Sequence, residues 1–161
     1  MNAEDLSRSV DAKFVSSAKL FDYKLAFTLY SPRREGGVAD IVKSKGDHLE
    51  GVLLEVPDFV GLDIREGHPT VYFREEIEVQ NLTTGEFVKT QTYMVVNKTI
   101  HEVRPSEYYA SLITSGATQF LSKEYQEALR VNLLLDRLDH SQLAPEDLLV
   151  KNDPIIKELL I

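Results

Sequence analysis

The chain predicts an α+β domain, and three features of the sequence point that way. Between residues 14 and 96, short apolar or alternating runs are separated by glycine-, proline- and aspartate-rich breaks, the mark of β-strands. From residue 105 onward the apolar residues fall at spacings of three and four behind helix-start signals. The 161 residues are 43% hydrophobic and 27% charged, ordinary for a globular chain with one buried core.

Taken in order, Asn2 to Arg8 reads as a first helical turn, with Glu4 and Asp5 suited to the dipole at its start. Phe14 to Phe27 is a strand, with Ala18, Leu20, Tyr23, Leu25 and Phe27 among polar neighbours and a kink or bulge at Asp22. Residues 31–37, SPRREGG, form a loop by composition. Val38 to Val42 is a short strand, SKGD at 44–47 is a turn, and Glu50 to Val56 is another strand. Asp58 is then placed to cap a brief helical turn carrying Val60, Leu62 and Ile64, which Gly67 ends in a left-handed conformation.

Val71 to Gln80 alternates, with Val71, Phe73, Ile77 and Val79 on one face and Tyr72, Arg74, Glu76, Glu78 and Gln80 on the other. NLTTG at 81–85 makes a hairpin loop, so 87–96 returns antiparallel to 71–80. Pro105 opens a helix to Ser115, stopped by Gly116. Ser122 caps a second helix to about Leu135, with Tyr125, Ala128, Leu129 and Leu133 inward. Residues 1–135 form the domain, and 136–161 a charged helical tail with helix starts near Pro145 and Pro154.

The totals exclude several function classes. A net charge of −8 opposes nucleic acid and anionic membrane partners. No cysteine is present, so disulfides, thiolate catalysis and thiolate metal sites are excluded. There is no run of 18 apolar residues, and the polar MNAEDLSRSV start lacks a signal-peptide core, so a soluble, cytoplasmic protein is expected. His48, His68, His101 and His140 lack metal-site spacing, and Gly36-Gly37 belongs to no phosphate loop. The glycosylation-type triplets at Asn81 and Asn97 are chance matches in such a chain.

The chemistry centres on Glu66. It ends the helical turn, where unpaired carbonyls carry partial negative charge, and Asp63 lies three residues earlier on the same face. Both effects disfavour the ionised carboxylate, raise its pKa and suit it to general-base work near neutral pH. The same pattern also describes two solvated surface carboxylates. Tyr72 and Tyr93 fall on the paired strands near Glu66; on pattern alone each is an amphipathic strand tyrosine with its hydroxyl in water.

Several segments resemble, in order and spacing, the gamma-glutamylcyclotransferase family, which includes AIG2-like proteins. They are AKLFDYKLAF (18–27), GGVADI (36–41), GDHLEGVLLEV (46–56), GLDIREG (61–67), VYFREEIEV (71–79), TYMVVN (92–97), PSEYYASLITSGA (105–117) and LSKEYQEAL (121–129). The resemblance implies a small mixed β-barrel with helices packed outside it. It implies an intramolecular reaction on a small γ-glutamyl substrate: the α-amine attacks the γ-carbonyl, 5-oxoproline forms and an amine or amino acid leaves. Glu66 matches the family's general acid/base, Tyr72 and Tyr93 match cavity tyrosines, and Gly37, Val38 and Ala39 match a segment beside the cavity. No metal or organic cofactor is implied, and a homodimer is left open.

Family members begin with a strand ending in Tyr-Gly-Ser-Asn, whose backbone N–H groups face the substrate. This chain starts at MNAEDL, which aligns at or just after the end of that loop. Asn2 is therefore carried over as a substrate-binding residue, with the strand and most of the anion cradle absent. The alternative is a non-catalytic member that keeps the fold as a small-molecule-binding or protein-interaction module.

Overall fold

The computed structural model describes residues 12–139. Within them lie four strands, β1 (Lys13–Ser31), β2 (Gly36–Glu55), β3 (Tyr72–Asn81) and β4 (Phe87–Val95), and three helices, α1 (Val60–Glu66), α2 (Glu107–Phe120) and α3 (Lys123–Asp139). The first helical turn expected at Asn2 to Arg8, and Asn2 with it, lie outside the described residues. So does the tail beyond Asp139; its first four residues, 136–139, continue α3. None of the described helices is long and apolar enough to cross a membrane.

The strands form one antiparallel sheet in the order β2-β1-β3-β4. The closed barrel implied by the resemblance is not formed, because no described strand joins the edge strands β2 and β4. Near one end a side chain reaches between them: the Val95 N–H donates to Asp40 Oδ1 at 2.9 Å.

Two elements differ from the sequence reading for local reasons. Val38–Val42 and Glu50–Val56 are not separate strands. Up to Glu55 they belong to the single strand β2, and SKGD is an outward bulge within it. Tyr23 pairs with Lys43 and Phe21 with His48, so residues 44–47 stand opposite Asp22 alone. Asp22 is left-handed (φ 61°), as is Gly46 (φ 89°), and the Gly46 N–H donates to Asp22 Oδ1 at 2.8 Å. The kink expected at Asp22 is thus one half of a matched pair.

Helix α2 likewise does not stop at Gly116 but continues to Phe120, with Gly116 and Ala117 both buried. Glycine there lies inside the helix and does not terminate it. Pro105 precedes the helix, and the N-cap is Ser106, whose Oγ accepts from the Tyr109 N–H at 3.2 Å.

Other elements follow their local signals. The β3–β4 hairpin pairs Tyr72 with Val95 through Gln80 with Phe87, around a loop closed by left-handed Gly85. Ser122 Oγ accepts from the Tyr125 N–H at 3.1 Å at the start of α3. Leu129 and Leu133 face the core, whereas Ala128 is exposed. The helices pack on one half of the β1–β2 ribbon through Phe27, Val38, Ala39, Tyr109, Ala117, Leu129 and Leu133. The other half packs against β3 and β4 through Ala18, Leu20, Ile41, Leu49, Val79 and Met94.

Gly37 is fixed by a close approach. Its N–H donates to the Arg104 carbonyl at 2.8 Å, and a Cβ at this position would lie 1.9 Å from the Val103 oxygen. Gly37→Ala is expected to destabilise the fold by about 3 kcal/mol, the upper part of the usual overpacking range. Urea denaturation measures it, and an unchanged midpoint would contradict the contact.

Candidate functional site

Helix α1 delivers Glu66 to the interior. Asp58 Oδ1 accepts from the Val60 N–H at 2.9 Å, while Phe59 holds the N-cap position without a side-chain bond, so the capping carboxylate sits one residue before the cap. At the other end Gly67 is left-handed (φ 64°), and a Cβ there would also press on Val71 Cγ2 at 2.9 Å. Glycine is required on both counts. Leu62 faces inward onto Tyr72, Tyr93 and Val95, and this packing turns the end of the helix into the protein.

Glu66 is only 1% exposed, and among the described residues neither carboxyl oxygen has a hydrogen-bond partner. The buried Arg65 lies beside it, with its Nε 3.6 Å from Glu66 Oε1. Burial raises the Glu66 pKa from 4.5 to about 8, and Arg65 opposes the rise without overcoming it. The direction agrees with the sequence reading, but the cause differs. Desolvation dominates, and Asp63 is occupied elsewhere: its Oδ1 accepts from the Tyr93 hydroxyl at 2.6 Å and pairs with Arg74 Nε at 2.9 Å.

The two strand tyrosines are not wetted. Tyr72 is fully buried, although alternation assigns it to the polar face of β3, and its hydroxyl donates to the Ala39 carbonyl at 3.3 Å. Tyr93 is nearly buried; desolvation, then its bond to Asp63, push its phenol pKa upward. Ala39 is gripped from the other side as well, its N–H donating to the Tyr109 hydroxyl at 3.3 Å. Burial raises the Tyr109 pKa too, and Glu66 adds to the rise in both Tyr93 and Tyr109. The negative charge of an ionised Glu66 is therefore felt at both phenols.

Glu66 and Tyr93 form part of the wall of a cavity of about 160 Å³ between the sheet and α1. Tyr72, Gly37, Val38 and Ala39 are not among its lining residues. Val38 is in the helix-facing core, Gly37 lies under residues 103–104, and Ala39 connects to the site through Tyr72 and Tyr109. The sequence reading did not single out Tyr109 as part of this cluster. It also missed Asp40, which is fully buried and accepts from the Thr28 hydroxyl at 2.5 Å, the N–H groups of Ile41 (2.8 Å) and Val95 (2.9 Å), and Lys98 Nζ. A single carboxylate inside the apolar run GGVADI was the available signal.

The AIG2-like family profile matches residues 48–129. A gamma-glutamylcyclotransferase of Mus musculus is 34% identical over 131 residues, covering 76% of this chain and 68% of the mouse protein. The chain belongs to the gamma-glutamylcyclotransferase (AIG2-like) family. Solved structures agree on the fold. A gamma-glutamyl cyclotransferase superposes with a TM-score of 0.72 at 27% identity, over 89% of this chain and 88% of that one. An uncharacterized protein from Homo sapiens gives 0.68 at 31% identity, over 74% of each chain. The family match includes α1, the hairpin, α2 and the first part of α3, and so contains Glu66, Tyr72, Tyr93 and Tyr109.

Proposed function

We propose that the protein cyclises a γ-glutamyl amide to 5-oxoproline and releases the amine, with Glu66 as general acid/base. The observation that carries this reading is a carboxyl buried in a cavity wall, with no hydrogen-bond partner on either oxygen among the described residues, and burial pushes its pKa up to about 8. Family membership supports a small γ-glutamyl compound as the substrate.

The substrate brings its own nucleophile, so proximity is built into it. What is needed is proton movement. Ionised Glu66 takes one proton from the α-ammonium, and the freed amine attacks the γ-carbonyl carbon. The new N–C bond closes the five-membered ring, and the carbonyl electron pair moves to oxygen. As the pair returns, the bond to the leaving nitrogen breaks, and Glu66 returns its proton to that nitrogen. A second proton passes by the same route from the ring nitrogen to the departing amine. Two protons move from one nitrogen to the other, with no water consumed and no co-reactant. Tyr93, Gly37, Val38, Ala39 and Tyr72 are proposed to shape the substrate site, Tyr93 from the cavity wall and the others from behind it.

The test is release of 5-oxoproline from a panel of γ-glutamyl amines and dipeptides. No turnover rejects the reading. At pH 7 only about a tenth of Glu66 is ionised for a pKa of about 8. kcat/KM is therefore expected to rise with pH, tenfold per unit, and to bend near pH 8. A profile flat from pH 6 to 9 would remove Glu66 from the base role.

A further inference from the structure

Tyr93 lines the cavity, but its hydroxyl is tied to a carboxylate that does not. Asp63 Oδ1 accepts from that hydroxyl at 2.6 Å. A phenol has one proton and an ionised carboxylate only accepts, so the proton lies on the Asp63 bond. The hydroxyl has no second partner among the described residues. On the side away from Asp63, its oxygen is left able to accept and unable to donate. Arg74 completes the arrangement. It stands directly opposite Tyr93 in the β3–β4 pairing, its Nε is 2.9 Å from the same Asp63 oxygen, and its guanidinium lies 4.6 Å over the Phe59 ring. Asp63 therefore takes the phenolic proton and compensates a cation held beside that phenol.

An acceptor without a free proton suits one part of a γ-glutamyl head group. Its carboxylate needs donors, whereas its α-ammonium needs acceptors. The ammonium must lie beside Glu66 to lose its proton, and Glu66 shares the cavity wall with Tyr93, whose phenol feels its charge. We propose that Asp63 is a positioning residue: by holding the Tyr93 proton and the Arg74 charge, it leaves Tyr93 as an acceptor for the substrate α-ammonium, an inference that rests on the cyclisation reading above. Without Asp63 the phenolic proton is free to turn toward the ammonium, and the Arg74 N–H groups compete for the phenol oxygen. Both changes oppose a cation at that place.

The experiment compares γ-glutamylalanine with glutarylalanine, which lacks the α-ammonium and keeps both carboxylates. The ratio of their affinities isolates the ammonium. Calorimetric titration uses Glu66→Gln, whose slowed turnover permits equilibrium binding. γ-Glutamylalanine is expected to bind this protein at least about tenfold more tightly, the low end for a hydrogen bond to a charged group. Adding Tyr93→Phe or Asp63→Ala is expected to bring the ratio down toward one. Asp63→Asn keeps an acceptor oxygen for the Tyr93 hydroxyl and is expected to hold the ratio above about threefold. Tyr93→Phe with Asp63→Ala is expected to match Tyr93→Phe alone, because Asp63 acts through Tyr93. An Asp63 that merely tied α1 to the hairpin would lower both affinities together and leave their ratio alone.

A ratio near one in the Glu66→Gln protein, a ratio that survives Tyr93→Phe, or additive losses from the two substitutions overturns the inference. Release of 5-oxoproline by the native chain then leaves cyclisation standing. Should Asp63→Ala fail to fold, Tyr93→Phe and Asp63→Asn decide: the ratio is expected to be lost in the first and kept in the second, and the reverse in either overturns the inference. No 5-oxoproline from any member of the γ-glutamyl panel overturns cyclisation itself and this inference with it.

Discussion

Glu66→Gln is expected to lower 5-oxoproline release by about 10²- to 10⁴-fold while making the protein more stable, and increasingly so as pH rises. The two effects share a cause. Burial lifts the Glu66 pKa from 4.5 to about 8. Below pH 4.5 the folded and unfolded chains both hold the proton, and the carboxyl leaves stability unaffected by pH. Between 4.5 and 8 the unfolded chain releases the proton and the folded chain retains it, so stability falls with rising pH. Above 8 the loss is complete. Across that window the loss is about 3–5 kcal/mol. Glutamine has nearly the same shape and does not ionise, so the variant escapes it. Urea denaturation at pH 4 and pH 8.5 should show nearly equal stabilities at the first and a variant several kcal/mol more stable at the second. Equal differences at both pH values would mean that Glu66 titrates as a solvated carboxylate. Full turnover by the variant would mean that it is not the base.

Asp40→Ala is expected to destabilise the fold by about 3–5 kcal/mol. Asp40 is fully buried and receives bonds from Thr28, Ile41, Val95 and Lys98. Lys98 is 36% exposed along its side chain and can turn to water. Thr28 and the Val95 N–H are buried and lose a partner in place, at about 1–3 kcal/mol for each orphaned group, with a cavity cost added. Asp40→Asn retains an acceptor oxygen of the same reach and should recover more than half of the loss. The pair separates hydrogen bonding from charge: if asparagine behaves as badly as alanine, the ion pair with Lys98 matters more than the bonds to Thr28 and Val95.

Local chemistry was readable from the chain and long-range placement was not. Gly67, the short helix before it and the carboxylate at its end were legible because a left-handed cap and 3–4 spacing act within a few residues. The interior position of Glu66 depends on β1, β2, β3 and β4 together forming the cavity, and no window around residue 66 contains them. Tyr72 illustrates the same limit. Alternation assumes that a strand has one wet face, but β3 at Tyr72 has Leu62 of α1 and Val95 of β4 packed around that side chain and Ala39 of β2 at its hydroxyl. Apart from the Ile41 N–H next to it, Asp40 draws on partners 12 to 58 residues away, so its run reads simply as an apolar strand with one odd residue. Gly116 was misread because glycine fits both a helix stop and a helix interior. The barrel followed from kinship rather than from the residues, and the sheet is open.

The facing irregularities at Asp22 and residues 44–47 divide one long ribbon into two arms. One arm carries Leu20 and Leu49 into the cavity wall, while the other adds Ile41 to that wall and presents Phe27 and Val38 to the helices. Because the surplus residues stand outside the ladder, with Lys45, Gly46 and Asp47 in solvent, the loop they form could lengthen without shifting the pairing of either arm. It is the natural attachment point for a spectroscopic label or a short inserted sequence.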